Sequence, residues 1–569
     1  MTVAATGARA ALPDVLSDWA ADLRAGRTGT TSWEYGVEPG WAASGAMALT
    51  GHPDAAPLGL TVPFVARLDA ALAVIRALAA ELGHPFRAPA GATPLPADGP
   101  PSARGSATVA RTSAVHPADG PPSARGSATV ARTSAVHPPA SAGQLLGERA
   151  AALGLTRGGL FSAGRAARLI RAADGWLAVN LARPDDVDLL PAWLEGDDLE
   201  ATDADRADSA RPASERGQDG APPPRARPWS ALAAAVADRP VTVLTERAEL
   251  LGLPVALVVD PATAAADAQA RARGQRFPFA PFLVDGCPPD TPAGGATRPT
   301  AGRQAGARGG TGGVGGGVHD DGGFTVIDLS SLWAGPLCAH LLGLAGGRVV
   351  KVEGASRLDG AREGPAAFYD LLHAGHASVT VDLRRAEGRA ALVRLIEGAD
   401  VVLEASRPRA LDQLGIGPAA MITRNPCLTW VSITGYGRTG PWRQRPAFGD
   451  DAAAAAGAVA VDAAGGPVFL ADAVADPVAG VLAAAAALAS LAAGGGRHVD
   501  VALREAVGSL LAGRPALPDH DPGLPVPPGG GTPFVAAAPC LRAPAGRAAP
   551  PGHDNHRLLG APVPGEHTC

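Results

Sequence analysis

Two aspartates, Asp472 and Asp476, lie just before a long alanine- and leucine-rich segment with the composition of a helix. A carboxylate ahead of a helix N-terminus meets free backbone N–H groups and the positive end of the helix dipole, which keep it ionised. An ionised carboxylate can attack an activated carbonyl such as a thioester and divide one difficult exchange into easier steps. From the residues alone, the alternative that such an aspartate only caps the helix remains equally open.

The elements that must position this carboxylate begin with a strand, a tight turn, a helix and a second strand, at residues 325–329, 334–336, 337–344 and 348–353. Gly346 and Gly347 stand where a helix C-cap belongs. Such a unit requires a parallel strand pair joined by a right-handed crossover. The turn follows the carboxyl end of the first strand, where open α/β sheets bind their ligands, and its sequence is neither GxGxxG nor a Walker loop.

The same alternation continues, with predicted strands at 378–383, 399–404 and 428–433 and an amphipathic helix at 387–398. Strands and helices at this spacing indicate a parallel sheet covered on both faces. The predicted fold class is therefore α/β, with a Rossmann-like doubly wound parallel sheet. A smaller α/β domain and disordered linkers complete the prediction.

Several phrases resemble the family III CoA-transferases, which include formyl-CoA, carnitine-CoA and succinyl-CoA-type transferases and α-methylacyl-CoA racemase. Three of them are the Ala-Gly-Pro turn at 334–336, GRVVKVE at 347–353 and GYGRTGP at 435–441. A fourth, GGGRHVDVAL at 494–503, follows the long helix. Lys351, inside the second phrase, is the single lysine of the chain.

The resemblance implies a catalytic role for Asp476, which lies four residues before Gly480, and not for Asp472. It implies a mixed anhydride at this aspartate, capture by the CoA thiolate to give an aspartyl-CoA thioester, and attack by the acceptor carboxylate. The resemblance also implies that no cofactor is bound permanently and that coenzyme A or acyl-CoA is the substrate. The family's CoA contacts fall on Trp333, Ala334, Val381, Arg384 and Leu414.

The chain departs from the family pattern at several positions. Ala405 stands where many members have asparagine, His376 where a lysine is common, and Gln413 where some members carry arginine. These changes favour an alternative function, a catalytically inactive protein that binds CoA or a partner subunit. A racemase is a further alternative. It is disfavoured because the position of the racemase histidine falls on Phe448 in this sequence. Asp450 and Asp451, nearby, are predicted to form a solvated turn.

The first half of the chain resembles a second, degenerate copy of the same family. Arg67 stands at the position of the catalytic carboxylate, and Asp69 does not align with that position. This copy is therefore predicted to be catalytically inactive. The small-domain phrases precede those of the large domain, which indicates two rearranged or fused copies. We predict a degenerate segment, a disordered insert, a small α/β domain, a Gly-rich linker, a large CoA-transferase domain and a Pro/Gly-rich segment, at 14–85, 86–143, 144–287, 288–323, 324–514 and 515–569.

The insert contains a 21-residue unit, ADGPPSARGSATVARTSAVHP, that occurs twice without change. Its composition offers too little large apolar surface to offset the entropy of ordering. His116 and His137 recur only because the unit does, so a metal role is not predicted for them. Glycines 529–531 are candidate oxyanion donors or simply a linker, and GEHT at 565–568 matches the end of family chains.

Composition bounds the remaining choices. The formal net charge of −6 implies neither nucleic acid nor an anionic membrane as partner. The apolar run at 477–496 is mostly alanine and glycine, and the N-terminus has no signal layout, so a cytoplasmic protein is predicted. The five cysteines form no CxxC pair, which argues against a zinc site. The predicted partners are small-molecule acyl-CoA and carboxylate and a second copy in a homodimer, unless the fused halves satisfy that interface within one chain.

Overall fold

The computed structural model describes residues 38–86 without 61 and 85, 138–205 without 197, 198 and 204, 227–273, 283–285, 323–511 and 536–560. Several predicted features lie outside these residues. They are residues 14–37 of the predicted degenerate segment, both copies of the repeated unit up to His137, the linker to residue 322, the glycines at 529–531 and the GEHT phrase.

The strands, in chain order, are β1 (Ala167–Arg171), β2 (Trp176–Asn180), β3 (Val255–Leu257), β4 (Leu283–Asp285), β5 (Thr325–Asp328), β6 (Arg348–Gly354), β7 (Ala377–Val381), β8 (Val401–Glu404), β9 (Thr429–Thr434), β10 (Val459–Val461), β11 (Pro467–Phe469) and β12 (Arg497–Ala502). The described α-helices are α1 (Pro39–Ala43), α2 (Phe64–Glu81), α3 (Ala142–Leu145), α4 (Glu148–Leu153), α5 (Pro184–Asp188), α6 (Leu190–Leu194), α7 (Trp229–Val236), α8 (Val241–Leu251), α9 (Pro261–Ala266), α10 (Ala268–Ala272), α11 (Ala334–Leu344), α12 (Ala366–His373), α13 (Ala386–Glu397), α14 (Arg409–Asp412), α15 (Pro418–Arg424), α16 (Gly449–Ala455), α17 (Ala475–Ala492), α18 (Leu503–Leu510) and α19 (Asn555–Leu559). Short 3₁₀ helices span Met47–Leu49 and Gly360–Glu363.

The main sheet has seven strands in the order β4-β12-β9-β8-β5-β6-β7. All neighbours pair in parallel except β4, which runs antiparallel to β12 at one edge. Read from β7 to β12, the order is the 3-2-1-4-5-6 arrangement of a doubly wound sheet. The predicted fold class is therefore confirmed, and the order reverses between β5 and β8.

The predicted strand–turn–helix–strand unit forms β5, α11 and β6. Helix α11 begins at Ala334, three residues before the predicted start, because Pro336 is tolerated in a first helical turn. Gly346 has a φ of +91°, the left-handed conformation that ends a helix without steric cost in glycine alone.

The N-terminal segment is part of the large domain's core. Helix α2 packs against α17, and residues from Trp41 to Leu146 share one hydrophobic cluster with residues from Val326 to Leu511. The small antiparallel sheet β1-β2-β3 has a separate cluster built with α7 and α8. The predicted degenerate segment thus lies on the large domain, and β4, from the end of the predicted small domain, extends the large sheet.

Helix α17 is long and apolar enough to cross a membrane by length and composition, and 83% of it is buried inside the fold. That burial is the pattern of a core helix. The location of the protein in the cell stays a prediction.

Candidate functional site

The first turn after β5 is held by a buried network around Lys351. Its Nζ lies 2.9 Å from Asp359 Oδ2, 3.5 Å from Asp328 Oδ2 and 2.5 Å from the carbonyl oxygen of Ser330. Asp359 in turn accepts a 3.0 Å hydrogen bond from the backbone N–H of Leu332. Leu332 has a φ of +68°, an unfavourable conformation for a leucine that the surrounding bonds hold in place.

Two glycines let the elements around this turn approach closely. A β-carbon at Gly335 would lie 2.2 Å from the Ser330 side chain, and one at Gly480 would lie 2.7 Å from the carbonyl oxygen of Ala334. Because α17 crosses α11 at Gly480, the first turns of the two helices lie side by side. The Ala-Gly-Pro phrase and the Asp476–Gly480 spacing therefore have a packing reason in this chain.

Asp476 is the second residue of α17, whose N-cap residue, Val474, makes no side-chain capping bond. The carboxylate of Asp476 is not the helix cap, so that alternative is wrong. Its neighbours in the first turns of α17 are buried, whereas Asp476 itself is partly exposed. The exposed part faces a cleft that the turn after β5 also lines.

The cleft has a volume of about 180 Å³, enough for a reacting group but not for a whole nucleotide. It opens where the turns after β5 and β8 meet, at the point where the strand order reverses. Its walls are residues 331–335, 405–408, 433–435 and 443–448, with Asp476 and Leu503. Doubly wound sheets bind ligands at this position.

Two further carboxylates lie beside Asp476. Asp472 is fully buried and forms a 2.6 Å ion pair with Arg149 Nη1. Asp450, in the first turn of α16, is buried and accepts a 2.9 Å hydrogen bond from the backbone N–H of Ala473. The prediction that Asp450 and Asp451 form a solvated turn is wrong, because both are buried.

The pKa of Asp476 is raised to about 7, mainly because protein surrounds most of the carboxylate. The Arg149 guanidinium opposes this shift, whereas Asp450 and Asp472 add to it. Burial likewise raises the pKa of Asp450 to about 7. The expectation that the helix N-terminus keeps Asp476 ionised is therefore corrected, since with a pKa of about 7 this carboxylate is divided between its two forms near neutral pH.

The loop between β11 and α17 has a constrained backbone. Ala471 and Ala473, on either side of Asp472, have φ values of +56° and +42°. The N–H of Ala471 donates to Thr50 Oγ1 at 3.0 Å, so the N-terminal segment helps to hold the loop. Left-handed alanines cost energy and persist where neighbouring contacts fix them, as they do here beside Asp476.

The predicted CoA-contact residues divide into two groups. Trp333 and Ala334 line the cleft with Asp476. Val381 is buried, the Arg384 side chain is 74% exposed and bonds Asp382, and Leu414 is 38% exposed. These three do not line the cleft. Val381 ends β7 and Arg384 follows that strand, whereas Leu414 follows the short helix α14. Their roles stay predictions.

The glycines of GYGRTGP accommodate side chains from the segment that precedes the large domain. Gly437 and Gly440 have φ values of +85° and +83°. A β-carbon at Gly437 would lie 1.9 Å from Arg273, and one at Gly440 would lie 2.5 Å from Gln269. Arg273 is held by Asp500 at 2.7 Å, so this phrase joins α10 to the end of β12.

His376, at the position of the family lysine, carries no useful positive charge. Burial, with the nearby charge of Lys351, lowers the pKa of His376 to about 3. Both ring nitrogens of the neighbouring His373 lack a hydrogen-bond partner within the described part of the chain. Among the residues that the structure describes, no three His, Cys, Asp or Glu side chains are placed to hold a metal ion.

The two candidate residues of the first copy have structural contacts. Arg67 is buried and donates a 2.5 Å hydrogen bond to the carbonyl oxygen of Leu510, at the end of α18. Asp69 accepts a 2.6 Å bond from the backbone N–H of Ala142, in the first turn of α3. Neither side chain lines the cleft.

Sequence reasoning missed Arg149. It lies 323 positions before Asp472 in a short helix with no phrase that marks it, and only the fold brings it to the site. Asp450 carried a weak signal, since it is one of two aspartates directly ahead of a run of alanines that ends at Gly457.

The family model of CoA-transferase family III matches residues 322–542. A succinyl-CoA–D-citramalate CoA-transferase of Chloroflexus aurantiacus is 37% identical over 131 residues, which are 22% of this chain and 33% of that protein. A probable fatty acyl-CoA transferase of Mycobacterium tuberculosis is 40% identical over 143 residues, 24% of this chain and 36% of that protein. The α-methylacyl-CoA racemase of Homo sapiens is 35% identical over 120 residues, 21% of this chain and 29% of that protein.

A crystal structure of a hypothetical protein of Mycobacterium tuberculosis aligns at 35% identity over 33% of this chain and 55% of that chain, with a TM-score of 0.32. The chain thus spans about a third of the length of the three curated relatives named above. The range that the family model matches contains Trp333, Asp450, Asp472 and Asp476, whereas Arg149 lies outside it.

Proposed function

We propose, because residues 322–542 match the model of CoA-transferase family III, that the chain transfers coenzyme A between an acyl-CoA and a carboxylic acid, with Asp476 as the nucleophile. The observation that carries the proposal is the shared cleft. Asp476 and the turn Trp333–Gly335 come from distant parts of the sequence and line one cavity at the reversal of strand order.

The proposed reaction is a series of exchanges that consumes no proton overall. The Asp476 carboxylate attacks the thioester carbonyl and expels the CoA thiolate, which leaves a mixed anhydride. The thiolate attacks the aspartyl carbonyl of that anhydride, releases the first carboxylic acid as its anion and forms an aspartyl-CoA thioester. The acceptor carboxylate repeats the two steps in reverse and leaves as a new thioester.

The chain's own groups suit these steps. The pKa of Asp476 is set by burial and by neighbouring charges. Its carboxylate has no hydrogen bond to the described residues, so neither oxygen has to break one before attack. Helix α11 begins at Ala334 on the cleft wall, which brings its first N–H groups beside the space in front of the carboxylate. Such N–H groups stabilise the negative charge that each tetrahedral step places on a carbonyl oxygen.

A second candidate function is a catalytically inactive protein that binds CoA or a partner. The observations that favour it are Ala405, which lines the cleft without an amide group, and His376, which is largely enclosed by protein and neutral. Racemisation is disfavoured because Phe448 lines the cleft beside Asp476, and a phenyl ring has no group that accepts a proton.

The deciding experiment is a CoA-exchange screen of the full chain with a panel of acyl-CoA donors and carboxylate acceptors. We expect exchange with the native chain and loss of at least about a thousandfold in Asp476→Ala, because the nucleophile is absent. Asp54→Ala, at an exposed aspartate, is the matched control and should exchange normally. Unchanged exchange in Asp476→Ala ends the proposal. Calorimetry with CoA separates an inactive binding protein from one that does not bind CoA.

The partners follow from the same proposal. Acyl-CoA and a carboxylate are the expected small-molecule partners. The homodimer, its replacement by contacts between the two halves, and the cytoplasmic location stay predictions, and sedimentation of the purified chain measures the first two.

A further inference from the structure

Arg149 reaches the site from helix α4, outside the range that the family model matches. Its Nη1 lies 2.6 Å from Asp472 Oδ1, and its side chain is 28% exposed while that of Asp472 is fully buried. The other oxygen of Asp472 has no hydrogen-bond partner among the described residues. The ion pair is therefore the main contact that keeps the Asp472 carboxylate charged inside the protein.

The guanidinium of Arg149 also meets the turn after β5. Arg149 Cζ lies 5.8 Å from the centre of the Trp333 ring, within the range of a cation–π contact. Arg149 thus joins the loop before α17 to the turn that carries Trp333. A guanidinium that contacts both Asp472 and Trp333 keeps its charge at a fixed place between these two elements.

The charges that face Asp476 come from every element around it. Within the cluster they are Arg149 of α4, Asp450 of α16 and Asp472 of the loop before α17. The cleft wall adds three guanidinium groups, those of Arg407, Arg443 and Arg445. Arg445 is neutralised by Glu249 at 2.6 Å. Of the guanidinium groups in the described part of the chain, Arg149 is the one that acts on Asp476 together with the carboxylates of Asp450 and Asp472.

We propose that Arg149 is a positioning residue whose charge favours the ionised form of Asp476 beside the cleft, and that Asp472 sets how much of the Arg149 charge Asp476 experiences. This inference rests on the proposed function, because it concerns the readiness of the same nucleophile. Its physical basis is the distance dependence of charge interactions in a poorly hydrated site.

The two partners of the ion pair affect Asp476 in opposite directions. Removing the guanidinium leaves Asp472 buried without a partner, so Asp472 takes up a proton and the cluster loses one charge of each sign. Arg149 acts on the pKa of Asp476 more strongly than Asp472 does, so the net result favours the protonated acid. Removing the Asp472 charge leaves the full guanidinium charge for Asp476 and Asp450, which favours the carboxylate.

The test is the pH dependence of CoA exchange in Arg149→Met, Arg149→Lys and Asp472→Asn. We expect the acidic limb of kcat/KM to move up by about one pH unit in Arg149→Met, which is about tenfold less exchange at pH 6. Arg149→Lys, which keeps the charge, should stay near the native limb, and Asp472→Asn should move the limb down. A pair with only a structural role lowers activity at every pH and leaves the limb in place, and that result overturns the inference.

A second readout needs no turnover, so failure of this inference is distinguishable from failure of the proposed function. The purified chain is labelled with a carbodiimide and an amine across pH, and the Asp476 peptide is quantified against Glu387, whose side chain is 80% exposed. The labelling midpoint of Asp476 should rise in Arg149→Met and fall in Asp472→Asn. If Arg149→Met does not fold, Asp472→Asn decides alone. A midpoint that stays or rises in Asp472→Asn overturns the inference even where no exchange is detected.

Discussion

Gly480 of α17 meets the carbonyl oxygen of Ala334 so closely that a β-carbon at residue 480 would lie 2.7 Å from that oxygen. The contact fixes the distance between the first turns of α11 and α17. The first begins at Ala334, next to Trp333, and the second carries the carboxylate of Asp476. The geometry of the cleft therefore depends on the absence of a single methyl group.

Gly480→Ala should destabilise the fold by about 1–3 kcal/mol, because the helices must move apart. It should also lower the rate of CoA exchange by more than the loss of folded protein accounts for. Denaturant unfolding and exchange kinetics measure the two effects. Gly546→Ala is the control, since a β-carbon there meets nothing within 4 Å, and its stability should change by less than about 0.5 kcal/mol. Native stability and native rates in Gly480→Ala would contradict this account of the glycine.

The acidic limb of exchange should have its midpoint near pH 7, the pKa to which burial raises Asp476. Only the carboxylate attacks, so kcat/KM should fall about tenfold for each pH unit below the midpoint and level off above it. A pH series in buffers of constant ionic strength measures this. A midpoint near 4, the range of an exposed aspartate, would contradict the assigned environment.

The stability of the protein should fall in acid through His376. Its pKa is about 3 in the folded chain against an ordinary value of 6.5. Below pH 6.5, therefore, the unfolded chain binds a proton at His376 and the folded chain does not. This effect of His376 on the free energy of unfolding is absent above pH 6.5, and at pH 5 it lowers that free energy by on the order of 1–2 kcal/mol. Asp450, whose pKa is raised to about 7, acts in the opposite direction between about pH 4 and 7, so the measured quantity is a difference between variants.

The variant is His376→Gln, whose free energy of unfolding should decline less than that of the native chain between pH 7 and pH 5. His553→Gln changes a histidine whose side chain is 63% exposed and serves as the control. Equal acid sensitivity of the native chain and His376→Gln would show that His376 is hydrated in the folded protein.

Lys351→Met should cost about 3–5 kcal/mol of stability, because it leaves the buried carboxylates of Asp328 and Asp359 without their cation. The turn at Leu332 should loosen at the same time, since Asp359 holds its backbone N–H. Denaturant unfolding measures the cost. Arg424→Met, which breaks an ion pair of half-exposed side chains, should cost less than about 1 kcal/mol. A similar cost in both variants would contradict the role of the buried network.

The strand, turn and helix that carry one wall of the cleft could be predicted from the sequence. The β-branched run, the Ala-Gly-Pro turn and the Gly346 stop are local signals, and they became β5, α11 and the end of that helix. The alternation of strands and helices and the handedness of crossovers predicted a doubly wound parallel sheet, whereas the order of its strands is known only from the structure. Asp476 could be chosen over Asp472 because its spacing to Gly480 matches a known pattern, and the close contact of Gly480 with Ala334 explains that spacing.

The electrostatics of the site could not be predicted in the same way. A solvated turn and a buried acid have the same letters, so Asp450 could be assigned only once α16 was seen to pack beside the loop at Ala473. Arg149 is one of many arginines, and its partner lies 323 positions away. The glycines of GYGRTGP gave no sign that Arg273 fills the space beside them. Each of these depends on contacts between distant segments, which residue patterns within one segment do not encode.

The most direct test of the central claim is to trap the intermediate. The full chain is mixed with an acyl-CoA that it exchanges, quenched with hydroxylamine, and digested for mass spectrometry. The account predicts a hydroxamate on the peptide that contains Asp476, formed only when acyl-CoA is present and lost in Asp476→Ala. A chain that exchanges CoA at full rate while Asp476 stays unmodified would contradict it.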